Sequence, residues 1–324
     1  MPTTSEKIIF YLRQKGHVTG AELADYLGIT RQGLFKHLPK LISSGVIAKI
    51  GKPPQVFYFI NTSLPVTHNI NIPHNLTQQI NKHFLIITPA GEKKEGMAGF
   101  VYWCEKNNLS YKKTAEEYNT TLQKYHAYKK NGLIDGMTKM KNTFPIVYLD
   151  RLFYVDFYSI ERFGKTKLGQ LLLYAKQSQN LQMMNEIISF VKPNVDAIIK
   201  KYYIDGIGFI PPTVKRERQL MRVLEKGLHE NVRKISIIKI KTEVAVPQKT
   251  LTKLNDRIEN ARNTLVVNEE AHFKNILLID DAVGSGATLN DIAKKIREKG
   301  ICQGKIIGLS LTGSFKGFDV ISEV

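Results

Sequence analysis

The chain has 324 residues and a formal net charge of +18, from 47 Lys and Arg against 29 Asp and Glu, spread as +9 over residues 1–150 and +9 over the rest. This length accommodates two or three domains with their own cores, and a composition 43% hydrophobic and 23% charged excludes a disordered or low-complexity chain. No apolar run approaches the ~18 residues of a membrane span, the N-terminus lacks a signal-peptide pattern, and Cys104 and Cys302 alone build neither a disulfide framework nor a zinc site.

A soluble, cytoplasmic protein is therefore expected, with no membrane partner and no zinc. The positive charge favours a polyanionic partner, because each neutralised phosphate releases condensed counterions. Being spread along the chain, it locates no contact.

In chain order, residues 5–15 form a helical pattern with Ile8, Ile9 and Leu12 on one side. Thr19-Gly20-Ala21-Glu22 reads as a capping box opening a second helix that buries Leu23, Ala24 and Leu27 and stops at Gly28. Thr30 caps a third, in which Leu34, Leu38, Leu41 and Ile42 form one inward stripe. Pro39 lies inside that helix, where it should remove a hydrogen bond and kink it. Two β-type runs, 46–50 and 55–60, flank Gly51-Lys52-Pro53-Pro54, as in a hairpin. Three helices and a hairpin make a winged helix-turn-helix over residues 1–62, similar to those of transcriptional repressors. Arg31, Gln32 and Lys36 would enter the major groove, with Lys49 and Lys52 against phosphate. Double-stranded DNA is the expected partner, and docking onto a protein is the alternative use of this fold. A homodimer is compatible with paired half-sites.

Residues 63–83, rich in Asn, Thr, Pro and Gln, read as a linker, and 84–148 as a small helical middle segment. Within it, a helix from Ser110 to Tyr118, a turn at Asn119-Thr120 and a helix from Leu122 to Lys130 resemble a second helix-turn-helix. An ordinary helical hairpin with a solvated lysine face explains the pattern as well. Trp103 and the neighbouring tyrosines read as core.

Residues 149–324 carry the chemistry. Ile276 to Ile279 is a short apolar run, as a parallel strand buried on both faces requires. Asp280 and Asp281 come at its end, where open α/β sheets place ligands. Val283, Gly284, Ser285, Gly286, Ala287 and Thr288 form a small-residue loop before a helix over 289–299. Glycines let backbone amides approach an anion, and the helix N-terminus adds positive potential. Two carboxylates suit a vicinal diol, so the pattern suits a sugar phosphate.

These residues resemble the 5-phosphoribosyl-1-pyrophosphate (PRPP) motif of type I phosphoribosyltransferases. The resemblance implies an α/β, Rossmann-like parallel-sheet domain. It places Asp280 and Asp281 on the ribose hydroxyls, residues 283–288 around the 5′-phosphate, and Mg²⁺ on the PRPP itself, with no metal ligand from protein side chains. Upstream, residues 152–176, 206–212 and 248–260 resemble the competence-protein F (ComF-type) branch of that family. That similarity implies pyrophosphate contacts from Pro211, Pro212, Arg216, Arg218 and Lys176, and a flexible loop bearing Gln248, Arg257 and Asn260. The chain departs from the branch in having Lys215-Arg216-Glu217-Arg218-Gln219 where an Arg-Gly-Phe-Asn run is usual, and in lacking the cysteine zinc ribbon. The functions implied are a PRPP-responsive transcriptional regulator, a working phosphoribosyltransferase with the winged helix as docking module, or a competence-type DNA-handling factor.

Overall fold

The computed structural model describes residues 3–61, 72–214, 216–228, 231–240, 243, 244, 246 and 250–314, in two compact units dividing between residues 71 and 72. The first contains α1 (Thr4–Lys15), β1 (Val18–Thr19), α2 (Gly20–Leu27), α3 (Arg31–Ser43), β2 (Ile47–Lys52) and β3 (Gln55–Ile60). It is a winged helix-turn-helix. Thr19 caps α2 as its sequence dictates: Oγ1 accepts from the Glu22 amide at 3.2 Å, and Glu22 Oε2 accepts from the Thr19 amide at 2.6 Å. Thr3 and Glu6 cap α1 in the same reciprocal way. Ile8, Leu12, Leu23, Leu34 and Leu38 are fully buried and close the core.

Helix α3 continues through Pro39 instead of breaking. The lost hydrogen bond and the ring clash cost about 3 kcal/mol. Leu34, Leu38 and Leu41, buried on both sides of the proline, offset this at roughly 1.5–3 kcal/mol each. The wing is also tighter than the four-residue loop expected. Lys52 pairs with Gln55, leaving Pro53 and Pro54 as the turn, and β1 adds to the outer side of β3 through Val18 and Tyr58.

The second unit begins with α4 (His74–His83), β4 (Leu85–Ile87), β5 (Lys93–Glu95), α5 (Gly96–Lys106), α6 (Tyr111–His126), β6 (Lys129–Lys130), β7 (Leu133–Asp135) and α7 (Met137–Thr143). It continues with β8 (Arg151–Phe157), β9 (Ser159–Ile160), β10 (Gly164–Lys165), α8 (Lys167–Ser178), α9 (Leu181–Tyr202), β11 (Gly206–Phe209), α10 (Leu220–Gly227), β12 (Arg233–Ile235) and β13 (Ile237–Lys239). Then come α11 (Leu254–Thr264), β14 (Leu265–Val267), β15 (Ile276–Val283), α12 (Ala287–Glu298) and β16 (Ile306–Gly313). Seven strands form one sheet in the order β12-β11-β15-β16-β8-β7-β6. The first five are parallel, and the β6–β7 hairpin joins antiparallel to β8. This is the α/β, mostly parallel architecture that the sequence implies. Among the described residues, no helix is long and apolar enough to cross a membrane.

Three expectations for the middle of the chain are corrected. The linker expected over 63–83 carries α4, because Leu76 and Ile80, four residues apart, form a buried stripe within otherwise polar sequence. The 84–148 segment is part of the second unit: Ile134 of β7 pairs with Tyr154 of β8, and its aromatic residues share a core with β15. The second helix-turn-helix is a single helix, α6. Thr120 and Thr121 donate to the Glu116 and Glu117 carbonyls at 3.0 and 2.9 Å, so they fit a helix interior. Tyr118, Leu122 and Tyr125 bury one unbroken stripe, and Asn131-Gly132 turns the β6–β7 hairpin with both residues at positive φ.

Truncating Leu38 to Ala is expected to cost about 2–5 kcal/mol. Amide hydrogen exchange is the measurement: protection should fall across residues 4–60 while that of β15 and β16 stays unchanged.

Candidate functional site

Along β15, Ile276 and Leu278 enter one core and Leu277 and Ile279 the other, on opposite faces of the sheet. The strand does not end at Ile279. Asp280 lies opposite Ser310, Ala282 opposite Thr312 and Val283 opposite Gly313 of β16. Because successive strand residues project to opposite faces, the two acids part. Asp281 points to the face covered by α8, where Lys176, in that helix's last turn, donates to Asp281 Oδ2 at 2.7 Å. Asp280 Oδ1 accepts from the Asp281 amide at 2.8 Å. Burial, and then the neighbouring Asp281 charge, push the Asp280 carboxyl up to about 8.

The turn that follows is shorter than the loop expected. Val283 is the last residue of the strand, and Ala287 and Thr288 already belong to α12, so only Gly284, Ser285 and Gly286 lie between. Gly286 has φ +86°, and a Cβ there would collide with Met140 Sδ of α7. Only glycine meets both demands. Ser285 Oγ accepts from the Ala287 amide at 3.3 Å. Among the described residues, none accepts from the amides of Gly284, Ser285, Gly286 or Thr288. These amides and the positive end of α12 therefore lie along the wall of one cleft, the kind of helix start that attracts anions. Asn290 anchors that helix to the chain before β8, accepting from the Tyr148 amide at 2.9 Å and donating to the Ile146 carbonyl at 3.0 Å.

The facing wall begins where β11 ends. The Ile210 amide donates to the Ile279 carbonyl at 2.9 Å, which aligns Pro211 and Pro212 beside the acids. Arg216 and Arg218 follow, Arg218 being tied to Gln179 through its amide at 2.7 Å and its guanidinium at 3.2 Å. Arg257 of α11 donates from Nε to the Leu251 carbonyl at 2.7 Å, and burial draws its guanidinium below its ordinary range. Asn260 does not line the cleft; its side chain donates to the Val246 carbonyl at 3.3 Å. Gln248 lies outside the described residues.

One residue escaped the sequence. Lys239 ends β13 and donates to Thr264 Oγ1 at 3.0 Å; it makes no ion pair among the described residues, and burial lowers its ammonium pKa. It reaches the cleft because β13 pairs antiparallel with β14, placing Lys239 opposite Leu265. Nothing in the local Ile-Ile-Lys run signals that pairing. The cleft so formed encloses about 170 Å³ and is lined by Lys176, Arg216, Arg218, Lys239 and Arg257 against Asp280 and Asp281. Cations outnumber acids in this lining, which suits an anionic ligand.

In the first unit, Arg31 and Gln32 open α3, with Lys36 one turn on, and Lys49 and Lys52 stand on β2. All five are exposed, and none forms an ion pair among the described residues.

Residues 1–48 match a family model described as winged helix-turn-helix DNA-binding. Among solved structures, the chain is similar to a hypoxanthine phosphoribosyltransferase from Staphylococcus aureus at 13% identity and a TM-score of 0.24, over 40% of this chain and 64% of that one. No curated protein matches the chain.

The raised Asp280 pKa has a defined sign in stability. The folded state binds this proton more tightly than the unfolded one, so stability is lost as pH rises from about 4 towards 8. Asp280→Asn removes the penalty. The variant should match wild type near pH 4 and melt increasingly higher above it, by on the order of a few degrees at pH 9. Thermal unfolding across that range checks this; parallel curves would refute it.

Proposed function

We propose that the second unit binds PRPP together with Mg²⁺, and that this binding adjusts the DNA affinity of the winged helix, making the chain a PRPP-responsive transcriptional regulator. The single observation that carries this reading is the set of open amides at Gly284, Ser285, Gly286 and Thr288 beside Asp280 and Asp281. A phosphate monoester satisfies the amides, and a vicinal diol one residue back meets the carboxylates. The pyrophosphate would extend towards Arg216, Lys239 and Arg257, which line the same cleft.

The oxygen donors of Asp280 and Asp281, with the ligand's own oxygens, are the hard ligands that Mg²⁺ prefers. When bound, that ion neutralises charge on the pyrophosphate. Asp281 must then share its carboxylate between Lys176 and the diol, while Asp280 must give up its proton. Binding is accordingly expected to release a proton and to tighten as pH rises from about 6 to 8.

Phosphoribosyl transfer to a nitrogen base is the second reading, favoured by the cations gathered on the pyrophosphate side of the cleft. The regulator is preferred because the winged helix carries five exposed polar and basic side chains at its groove and wing positions. Calorimetric titration with PRPP and Mg²⁺ should show binding to wild type and at least roughly tenfold weaker binding to Asp281→Asn, the loss of a hydrogen bond to a charged group. DNA affinity, measured at fixed salt, should shift when PRPP is added. Lys49→Ala and Lys52→Ala should each lower the salt-dependence slope by about one. Pyrophosphate release on adding a panel of bases, without any change in DNA affinity, would favour the enzyme and overturn the regulator.

A further inference from the structure

The second unit holds another cavity, of about 220 Å³, that shares no lining residue with the cleft. Its wall is aromatic. The Tyr118–Phe163, Phe84–Tyr118, Trp103–Phe163 and Phe84–Trp103 ring centroids lie 5.0, 5.4, 5.4 and 6.3 Å apart. An apolar cavity of roughly 150 Å³ admits benzene, so this one has room for a larger heteroaromatic ring, in an interior that is otherwise close-packed.

Tyr118, His83 and His126 are among the polar side chains that line the same space. Tyr118 is 3% exposed, and the half-buried rings of His83 and His126 meet edge to face at 4.8 Å. Among the described residues, none of the three side chains has a hydrogen-bond partner within the protein. Their polar atoms are not sealed away, so they stay reachable from the cavity as donors and acceptors for a bound molecule. Burial first, and then His126 and the surrounding lysines, lower His83 to about 4, and burial also lowers His126. Each imidazole is thus neutral at pH 7, with one donor and one acceptor, and the hydroxyl offers both. A mixed donor and acceptor edge between aromatic faces is complementary to a purine or pyrimidine.

The rim is basic. Lys82, Lys165 and Lys167 line it. Lys167 pairs with Glu95 at 2.9 Å and Lys129 with Asp156 at 2.9 Å, whereas Lys82 forms no ion pair among the described residues. At about 220 Å³ the space has room for a base, whose phosphate would then meet the lysines. We propose that the cavity is a second ligand site, which takes the base of a nucleoside monophosphate between Trp103, Phe163 and the His83–His126 pair and holds its phosphate at Lys82. This site stands whether or not the cleft binds PRPP.

Trp103 is the chain's one tryptophan and lies in the cavity wall, so its emission reports occupancy. The full-length chain is titrated with AMP, GMP and UMP, and separately with adenine and with ribose 5-phosphate, each by fluorescence and calorimetry. At least one monophosphate should give a saturable change in Trp103 emission, adenine a weaker one and ribose 5-phosphate none, any heat from ribose 5-phosphate being that of the cleft and lost in Asp281→Asn. His126→Ala and Lys82→Ala should each weaken binding roughly five- to tenfold, and Asp281→Asn, in the cleft, should leave it unchanged. No saturable signal by either method, or unchanged affinity in both His126→Ala and the surface variant Lys82→Ala, would sink the proposal. Loss of binding in Asp281→Asn would do so too, by placing the ligand in the cleft. Adenine binding as tightly as AMP would overturn the assignment to a monophosphate.

Discussion

The second unit depends on the parallel pairing of β15 with β16, from Ile276 opposite Ile306 to Val283 opposite Gly313. Both strands are apolar on both faces along most of their length, and Ile276 to Ile279 and Ile306 to Leu309 are buried. The pairing therefore cannot slip by one residue without moving acids into one core and leucines out of the other. Everything that gives the cleft its chemistry is hung on this register. It carries β15 past the two acids, sets them on opposite faces, and delivers the chain to Gly286 at the angle that opens α12.

From this constraint follows an electrostatic division of labour. Asp281, facing α8, is paired with Lys176 and so is compensated. Asp280, facing the other way, forms no ion pair among the described residues and is held near its neutral form by burial and by its neighbour's charge. One carboxylate is thus ready as an acceptor and the other is spring-loaded to ionise when positive charge arrives. The open turn amides beside them are the other groups on which the proposed magnesium-bound sugar phosphate would draw.

The segment before β8 has a larger part than its composition suggests. It adds two strands to the sheet edge, supplies Met140 against Gly286, and builds the aromatic cavity from α4, α5 and α6 together with the β9–β10 hairpin. The Trp103 side chain packs against the core, as an aromatic reading of the sequence expects, and also forms one wall of that cavity. Lys124 and Lys129, which read as a solvated face, are tied to Glu161 and Asp156.

By itself the sequence determined what depends on neighbours along the chain. The capping of α2 by Thr19 and Glu22, the inward stripe of α3, the buried run into Asp280-Asp281 and the glycine-bearing turn are all local patterns, with periods and hydrogen bonds spanning no more than a helical turn. It misplaced α4 and split α6, because two buried residues within a polar stretch, and two threonines that bond back to their own helix, look like loop and turn until packing is known. Only the tertiary structure decided which distant cations face the acids. Lys239 arrives through a strand pairing, Lys176 through helix packing, and the His83–His126 pair through two helices that meet forty residues apart. Such encounters are set by long-range closure of the core, where loop entropy and shape complementarity, rather than any local preference, select the partner.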